Sequence, residues 1–279
     1  MKTSKNIAVL ITSFNRSDKT LQCIDKLLRI LPTCSIYLVD DSSKDDTVRI
    51  ISTNFPNVKI IYGTGDLFWN RGMHLAWEHT NKLDYDFYLW LNDDVVLYEN
   101  SIQEIFECSK INNHQAIISG LIESEDKQRI IYGGTDSNKN LIKPNDKMNP
   151  ITNMNGNVVL IPKYVHQLLG NLDPVYHHDL GDVDYGLRAK NKGIGVYTTR
   201  VVIARGESND ICRVRLNNVN IYKRFKRLYS PLGSNPRIIF YFRRKHYGYL
   251  NATIYFIFLH FLNILPDSMN KLIFKQRYI

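Results

Sequence analysis

With 279 residues, 44% hydrophobic and 23% charged, the chain has the apolar mass for a sizeable core, and no stretch has the composition of disorder. Its net charge of +9 is uneven: residues 1–220 carry 25 Lys and Arg against 26 Asp and Glu, whereas residues 221–279 carry 11 against the single acid Asp267. A basic end without any RNA- or DNA-binding motif argues against nucleic acid as the partner.

The first six residues are polar and run directly into a strand-like segment, without the apolar stretch of a signal peptide, so export is not expected. Cys23, Cys34, Cys108 and Cys212 are widely spaced, with no CxxC, and read as reduced thiols of a cytosolic protein. Residues 6–12, 36–39, 58–62 and 86–91 are short, apolar and rich in β-branched or aromatic side chains, as strands buried on both faces are. Between them, residues 18–30, 44–53 and 71–83 repeat apolar side chains at helical spacing, with Asp18 and Ser43 placed as helix caps. Strand alternating with helix predicts an α/β fold with a parallel sheet and right-handed crossovers. A second block has shorter strands at 116–121, 129–132, 157–161 and 196–203, a helix over 182–192, and a polar run over 136–153 that reads as a long loop or lid.

That topology locates a binding site before any motif does, because ligands of open α/β sheets sit beyond the carboxyl ends of the strands. Here those ends read Thr12-Ser13-Phe14-Asn15-Arg16, Asp40-Asp41-Ser42-Ser43, Gly63-Thr64-Gly65-Asp66 and Asn92-Asp93-Asp94. All are polar and three carry acids. Carboxylates at a strand end suit a hard divalent cation, and a diphosphate needs such a cation to neutralise its charge; a turn held by local Asp and Asn hydrogen bonds is the plainer alternative. Asp40 or Asp41 can accept from a base N–H or a ribose hydroxyl while Ser43 caps the next helix. Residues 65–72 add Trp69, an aromatic face for a sugar ring, and Arg71, a phosphate partner, with Phe68 expected in the core. Residues 177–188 are the densest polar cluster. Asp184 is placed to pair with Arg188 at helical spacing, which leaves Asp182 the better general base; His177 and His178 are candidates for metal or acceptor.

In this order the motifs resemble the family 2 glycosyltransferases of the GT-A fold, including rhamnosyltransferase-like and capsule or lipopolysaccharide enzymes. The resemblance is carried by IAVLITSFNR, YLVDDSSKDDT, GDLFWNRGMHLA, LWLNDDV, NGNVVLIP and GDVDYGLRAKNKG and extends over residues 6–205. It implies a mostly parallel central sheet flanked by helices and a transferase domain over 1–215 with a nucleotide-binding half (1–100) and an acceptor half (101–215); the charge balance sets off a basic, aromatic helical region over 216–279. It implies donor contacts from Thr12, Ser13, Arg16, Asp40, Asp41, Arg71, Asn92 and Asp93, Mg²⁺ or Mn²⁺ on Asp94, sugar or acceptor contacts from Trp69 and His178, and Asp182 as the base. The implied partners are a UDP- or dTDP-sugar donor and a glycan or lipid-linked acceptor, and the implied chemistry is a single displacement that inverts the anomeric centre. Three positions depart from the family pattern: Asn92 stands for the first metal-motif acid, Gly181 for the Glu before the base, and residues 203–206 hold no metal-binding His, with Arg205 available to the diphosphate instead. A sugar-nucleotide nucleotidyltransferase would need a Gly-rich loop with Lys after the first strand, where this chain has TSFNR; a non-catalytic glycan-binding module would not need both Asp94 and Asp182.

The basic end holds a cationic helix over 221–228, with Ile221, Phe225 and Leu228 on one face, and an apolar run over 249–265 interrupted by Asn251, Thr253, His260 and Asn263. That run is too short and too polar to span a bilayer comfortably and suits a helix lying in the interface of an anionic membrane, which predicts a peripheral protein at the cytoplasmic face. A packed helical subdomain or dimer interface is the alternative.

Overall fold

The computed structural model describes residues 5–80, 83–208 and 214–275; Cys212, and residues 81–82 of the helix expected over 71–83, lie outside them. The chain divides into two compact units, Met1–Pro174 with Gly181–Ser208, and Val175–Leu180 with Asn209–Ile279. The segment 175–180, expected within the transferase domain, thus belongs to the second unit.

The first unit runs β1 (Ile7–Ser13), α1 (Ser17–Ile30), β2 (Ser35–Asp40), α2 (Thr47–Asn54), β3 (Lys59–Tyr62), α3 (Phe68–Glu78), β4 (Phe87–Leu91), β5 (Val96–Leu97), α4 (Ser101–Ile111), β6 (Ile117–Ser124), β7 (Ile130–Tyr132), β8 (Gly134–Thr135), β9 (Asn153–Met154), β10 (Val158–Pro162), α5 (Lys163–Leu169), α6 (Gly181–Asn191) and β11 (Val196–Gly206). The large sheet has the order β3-β2-β1-β4-β10-β6-β11-β5, with β7 beside β6; β8 and β9 form a separate ribbon. The first four strands are parallel, as expected. Beyond them the sheet is mixed, because β10 runs antiparallel to both β4 and β6. Residues from both expected halves therefore share one sheet.

Strand alternation divides the core into two layers. Ile7, Val9 and Ile11 of β1 face a cluster with Ile24 and Leu27 of α1, Ile51 of α2 and Ile105 of α4. Ala8 and Leu10 face the other layer, with Met73 and Trp77 of α3, Trp90 of β4 and Tyr185 of α6. The runs of β1, β2 and β4 are buried on both faces, as their composition predicts. β3 is not. It closes one end of the sheet, with Lys59 and Tyr62 exposed.

Two expected caps are differently employed. α1 starts at Ser17 without a side-chain cap, and Asp18 lies in its first turn. α2 starts at Thr47, three residues later than expected, because residues 43–45 are drawn into loop contacts. Ser43 Oγ accepts from the Asn15 backbone N–H at 2.9 Å, and Asp45 Oδ2 from that of Ser17 at 3.1 Å. α3 starts at Phe68, earlier than expected, and Phe68 is half-buried with φ 57° rather than deep in the core. The run 136–153 is largely irregular, but Thr198 N–H donates to Asn149 O at 2.9 Å and Ile151 N–H to Val196 O at 3.0 Å, which tie it to β11.

The second unit contains α7 (Ile221–Leu228), α8 (Pro236–Tyr247), α9 (Tyr249–Ile264) and α10 (Asp267–Phe274). Asn220 and Asn235 cap α7 and α8 through their side-chain oxygens. α7 covers the expected residues, but its cations are not all on a solvated face: Arg224 is buried and donates to Leu265 O at 2.8 Å and to Asp267 Oδ1 at 2.8 Å. No helix among the described residues is long and apolar enough to cross a membrane.

Candidate functional site

The strand order places β1 between β2, to which the chain crosses first, and β4, to which it returns later. Such a switch point opens a crevice at the carboxyl ends of the strands. The loops there are laced together. Asn15, in the left-handed region at φ 52°, presents its N–H to Ser43 Oγ and its Oδ1 to the Lys44 N–H at 2.7 Å. Thr12 packs against α3 so closely that a Cβ on Gly72 would lie 2.3 Å from its Oγ1. Glycine at 72 is what lets the helix approach the strand end.

Arg16 makes the central ion pairs. Its Nη1 donates to Asp94 Oδ2 at 2.7 Å and to Asp93 Oδ1 at 3.3 Å. Asp93 is buried, and the Thr20 hydroxyl lies 3.3 Å from its Oδ2 and 2.8 Å from Ser13 Oγ. Burial pushes the Asp93 carboxyl up to about 6, Asp94 adds to the shift, and Arg16 opposes it. Asp94 is the more open of the two, with 23% of its side chain exposed.

The two acids after β2 divide their work. Asp41 Oδ1 accepts from the Gly65 N–H at 2.7 Å, and Oδ2 from those of Leu67 and Phe68 at 2.8 and 3.1 Å, so its carboxylate holds the start of α3. Asp40 Oδ2 accepts from the Ser43 N–H at 3.0 Å, but its Oδ1 is buried with no partner among the described residues. An acceptor buried at a strand end without a donor is costly unless a ligand supplies one.

Asn92 does not face a cation. Its Oδ1 accepts from Trp69 Nε1 at 2.7 Å and its Nδ2 donates to Asn157 Oδ1 at 2.6 Å. The amide does what a carboxylate could not, accepting on one side and donating on the other. Trp69 is thereby fixed edge-on to Trp90, 5.9 Å between ring centres, and its ring lies against Gly156, where a Cβ would come within 2.3 Å. The Gly156 N–H in turn donates to Asp182 Oδ2 at 2.9 Å, and the Val183 N–H to Asp182 Oδ1 at 2.8 Å. One line of contacts thus runs from Arg16 through residues 92–94 and Trp69 to Asp182, at the start of α6.

The neighbours of Asp182 are structural. Asp184 is fully buried and pairs with Arg188 Nε at 2.9 Å, while the Arg188 guanidinium also donates to Leu169 O and Asn171 O at 2.6 and 2.9 Å. Gly181 leaves room for Asn70, since a Cβ there would sit 1.6 Å from Asn70 Oδ1. Arg71 Nε donates to the Pro174 carbonyl at 2.9 Å. His178 falls in the segment Val175–Leu180 of the second unit. Arg205 is exposed on β11, opposite Val96 of β5.

Sequence reasoning assigns no role to Thr20, Asn157 or Gly156, whose contacts with Asp93, Asn92 and Asp182 join residues distant in the chain. It also passes over Glu207, just beyond β11, which pairs with Lys19 at 2.6 Å. Being the first acid after the last core strand was its one available signal. No group of three or more His, Cys, Asp or Glu side chains among the described residues could hold a metal ion. The donor set still suits a Mg²⁺-like ion that arrives with a diphosphate, because such ions commonly take one or two protein carboxylates and complete their shell with phosphate oxygens and water.

The sequence model of the family described as glycosyl transferase family 2 matches residues 8–163, which include every strand of the switch point. No curated protein matches the chain. Among solved structures, a crystal structure of GalNAc-T7 with UDP, GalNAc and Mn²⁺ is similar with a TM-score of 0.66 at 14% identity, over 97% of this chain and 54% of that one. At that identity the likeness is one of fold, the GT-A fold, and the chain spans about half the length of that protein.

Proposed function

The chain belongs to glycosyl transferase family 2, and from that premise we propose that it transfers one sugar, with inversion, from a nucleoside-diphosphate sugar to a hydroxyl of a glycan or lipid-linked acceptor in surface-polysaccharide synthesis. The observation that carries this reading is the line of contacts joining the Arg16–Asp93–Asp94 cluster to Trp69 and Asp182. What supports it is that these contacts link a charged cluster at the strand ends to Trp69 and to the Asp182 carboxylate.

In this reading Asp40 Oδ1 accepts from the nucleobase or ribose of a UDP- or dTDP-sugar, and the loop frame of Thr12, Ser13 and Asn15 gives the nucleotide its floor. Arg16 is the cation nearest the strand-end acids and turns toward the diphosphate when a donor arrives. Trp69 lies along the sugar. Asp182 takes the acceptor hydroxyl proton as that oxygen attacks the anomeric carbon from the face opposite the leaving group. Two backbone donors fix its carboxylate, so its orientation does not depend on the acceptor. A Mg²⁺ or Mn²⁺ ion held by Asp94 would supply charge neutralisation for the departing nucleoside diphosphate. Arg71, Asn92 and Asp41 act in this scheme by positioning the helix, the aromatic and the loop.

The test is a panel of nucleotide sugars assayed for hydrolysis and for thermal stabilisation, with and without Mn²⁺. Asp182→Asn should keep nucleotide affinity and lose turnover by roughly two orders of magnitude or more. Asp94→Ala should lose the metal-dependent part of nucleotide binding. Full turnover by a folded Asp182→Asn protein would remove the base from this scheme.

A further inference from the structure

We propose that the second unit carries a docking surface for anionic lipid, formed by the outer face of α9 and continued by α10, and that it attaches the protein peripherally. The proposal stands on the second unit alone and is independent of the transferase chemistry.

α9 contains no charged residue along its 16 positions. Its inner face is packed: Ala252, Leu259, Leu262 and Asn263 are buried. Its outer face is apolar. Leu250, Ile254, Ile257, Phe261 and Ile264 are each between 48% and 74% exposed. Their alternating spacing of four and three residues aligns them in one stripe, about 21 Å long at 1.5 Å per residue. On α10, Met269, Leu272 and Ile273 are also exposed. A helix apolar on both sides belongs in an interior, and an exposed apolar surface of this extent marks an interaction site. α9, at 16 residues, falls short of a bilayer span, and a helix lying in the interface fits it.

Charge selects the occupant. The lone acid of residues 221–279, Asp267, is taken internally by Arg215 at 2.5 Å and Arg224 at 2.8 Å. Lys223, Lys226, Arg237, Arg244 and Lys271 remain exposed. Arg243 stands at the rim of the stripe, over the Tyr255 ring at 3.9 Å and donating to Asn251 Oδ1 at 2.8 Å. A second copy docked through the same stripe would bring two cationic surfaces together with no acids to answer them. Anionic headgroups answer the cations while their acyl boundary covers the stripe.

The experiment is co-sedimentation of the full chain with phosphatidylcholine vesicles and with vesicles that also contain phosphatidylglycerol. The protein should sediment with the anionic vesicles at low salt, be released at high salt, and ignore the neutral ones. Ile257→Asp and Phe261→Asp, both at exposed positions, should each weaken partitioning about tenfold with an unchanged circular dichroism spectrum. Indifference to anionic vesicles at low salt, or equal binding to neutral ones, overturns the proposal; neither observation needs a variant. So does a dimer, seen by light scattering without lipid, that Ile257→Asp splits. Nucleotide-sugar hydrolysis measured without vesicles reads the first unit separately, so the two proposals can fail independently.

Discussion

Arg16 is the residue on which the charge balance of the crevice turns. Its guanidinium lies on Asp94, the carboxylate proposed above to hold the divalent ion, so in that scheme an ion arriving alone must compete with it. A partly exposed pair of this kind is worth about 1 kcal/mol or less. Arg16→Gln is therefore expected to bind Mn²⁺ without nucleotide about two- to fivefold more tightly than wild type, as read by electron paramagnetic resonance of free Mn²⁺. Weaker binding by the variant would mean that Asp94 is not where the ion goes. Asp93 gives a second prediction. Its folded pKa, about 6, lies above the ordinary 3.8, so the native state binds that proton more tightly than the unfolded chain does. This group therefore stabilises the fold least above pH 6, and its unfavourable contribution fades as pH falls toward 4, up to about 3 kcal/mol in all. In urea titrations, Asp93→Asn should gain on wild type as pH rises from 4 to 7. A gap that closes over that interval would show that Arg16 outweighs burial. Of these residues, the acids were legible because an apolar strand ended on them. The role of Asn92 was not, because its two partners, Trp69 and Asn157, lie 23 and 65 positions away.

Among the elements, strands and helices were readable where one periodicity ran without interruption, and misread where a cap came from elsewhere. Ser43 looks like the cap of α2 but serves the loop after β1, and Asp45 is shared, one oxygen accepting from the Ser17 N–H and the other from the Thr47 N–H at the start of α2. The true holder of the start of α3 is Asp41, which reaches it from 26 residues upstream. Local sequence cannot encode such a choice, because the competing N–H groups are brought together only by the sheet. α6 shows the opposite case. The Asp184 to Arg188 spacing is local, and the pair forms as expected, anchoring the helix to the carbonyls of Leu169 and Asn171. Removing one partner of a buried pair leaves the other charge uncompensated, at about 3–5 kcal/mol. Asp184→Ala should lose roughly that much stability in urea unfolding. Asp182, on the same first turn, accepts from the Gly156 and Val183 backbone N–H groups, and an asparagine oxygen can still accept from one of them, so Asp182→Asn should cost far less, about 1–2 kcal/mol. Equal losses at the two positions would mean that α6 is not held by the ion pair.

The whole molecule has two compact units, and the second is built around charge to an unusual degree. Composition announced its cations but not that two of them are interior. Arg215 is fully buried and donates to Leu265 O at 2.9 Å as well as to Asp267, while Arg224 shares the same carboxylate. The fully buried Asn270 adds two side-chain polar atoms with no partner among the described residues. Both features make this unit sensitive to single changes, in opposite directions. Asp267→Ala strands two cations and should cost about 3–5 kcal/mol. Asn270→Leu removes unsatisfied polar atoms and should stabilise by about 1–2 kcal/mol. The tryptophans offer a way to see where these effects fall, since Trp69, Trp77 and Trp90 all belong to the first unit. Their fluorescence follows that unit alone, whereas far-ultraviolet circular dichroism also follows α7 to α10. In thermal unfolding of Asp267→Ala, the dichroism should begin to fall below the temperature at which tryptophan emission changes, and Asn270→Leu should move that early phase upward. If both signals shift together in both variants, the two units unfold as one, and the charge network of the second supports the stability of the first.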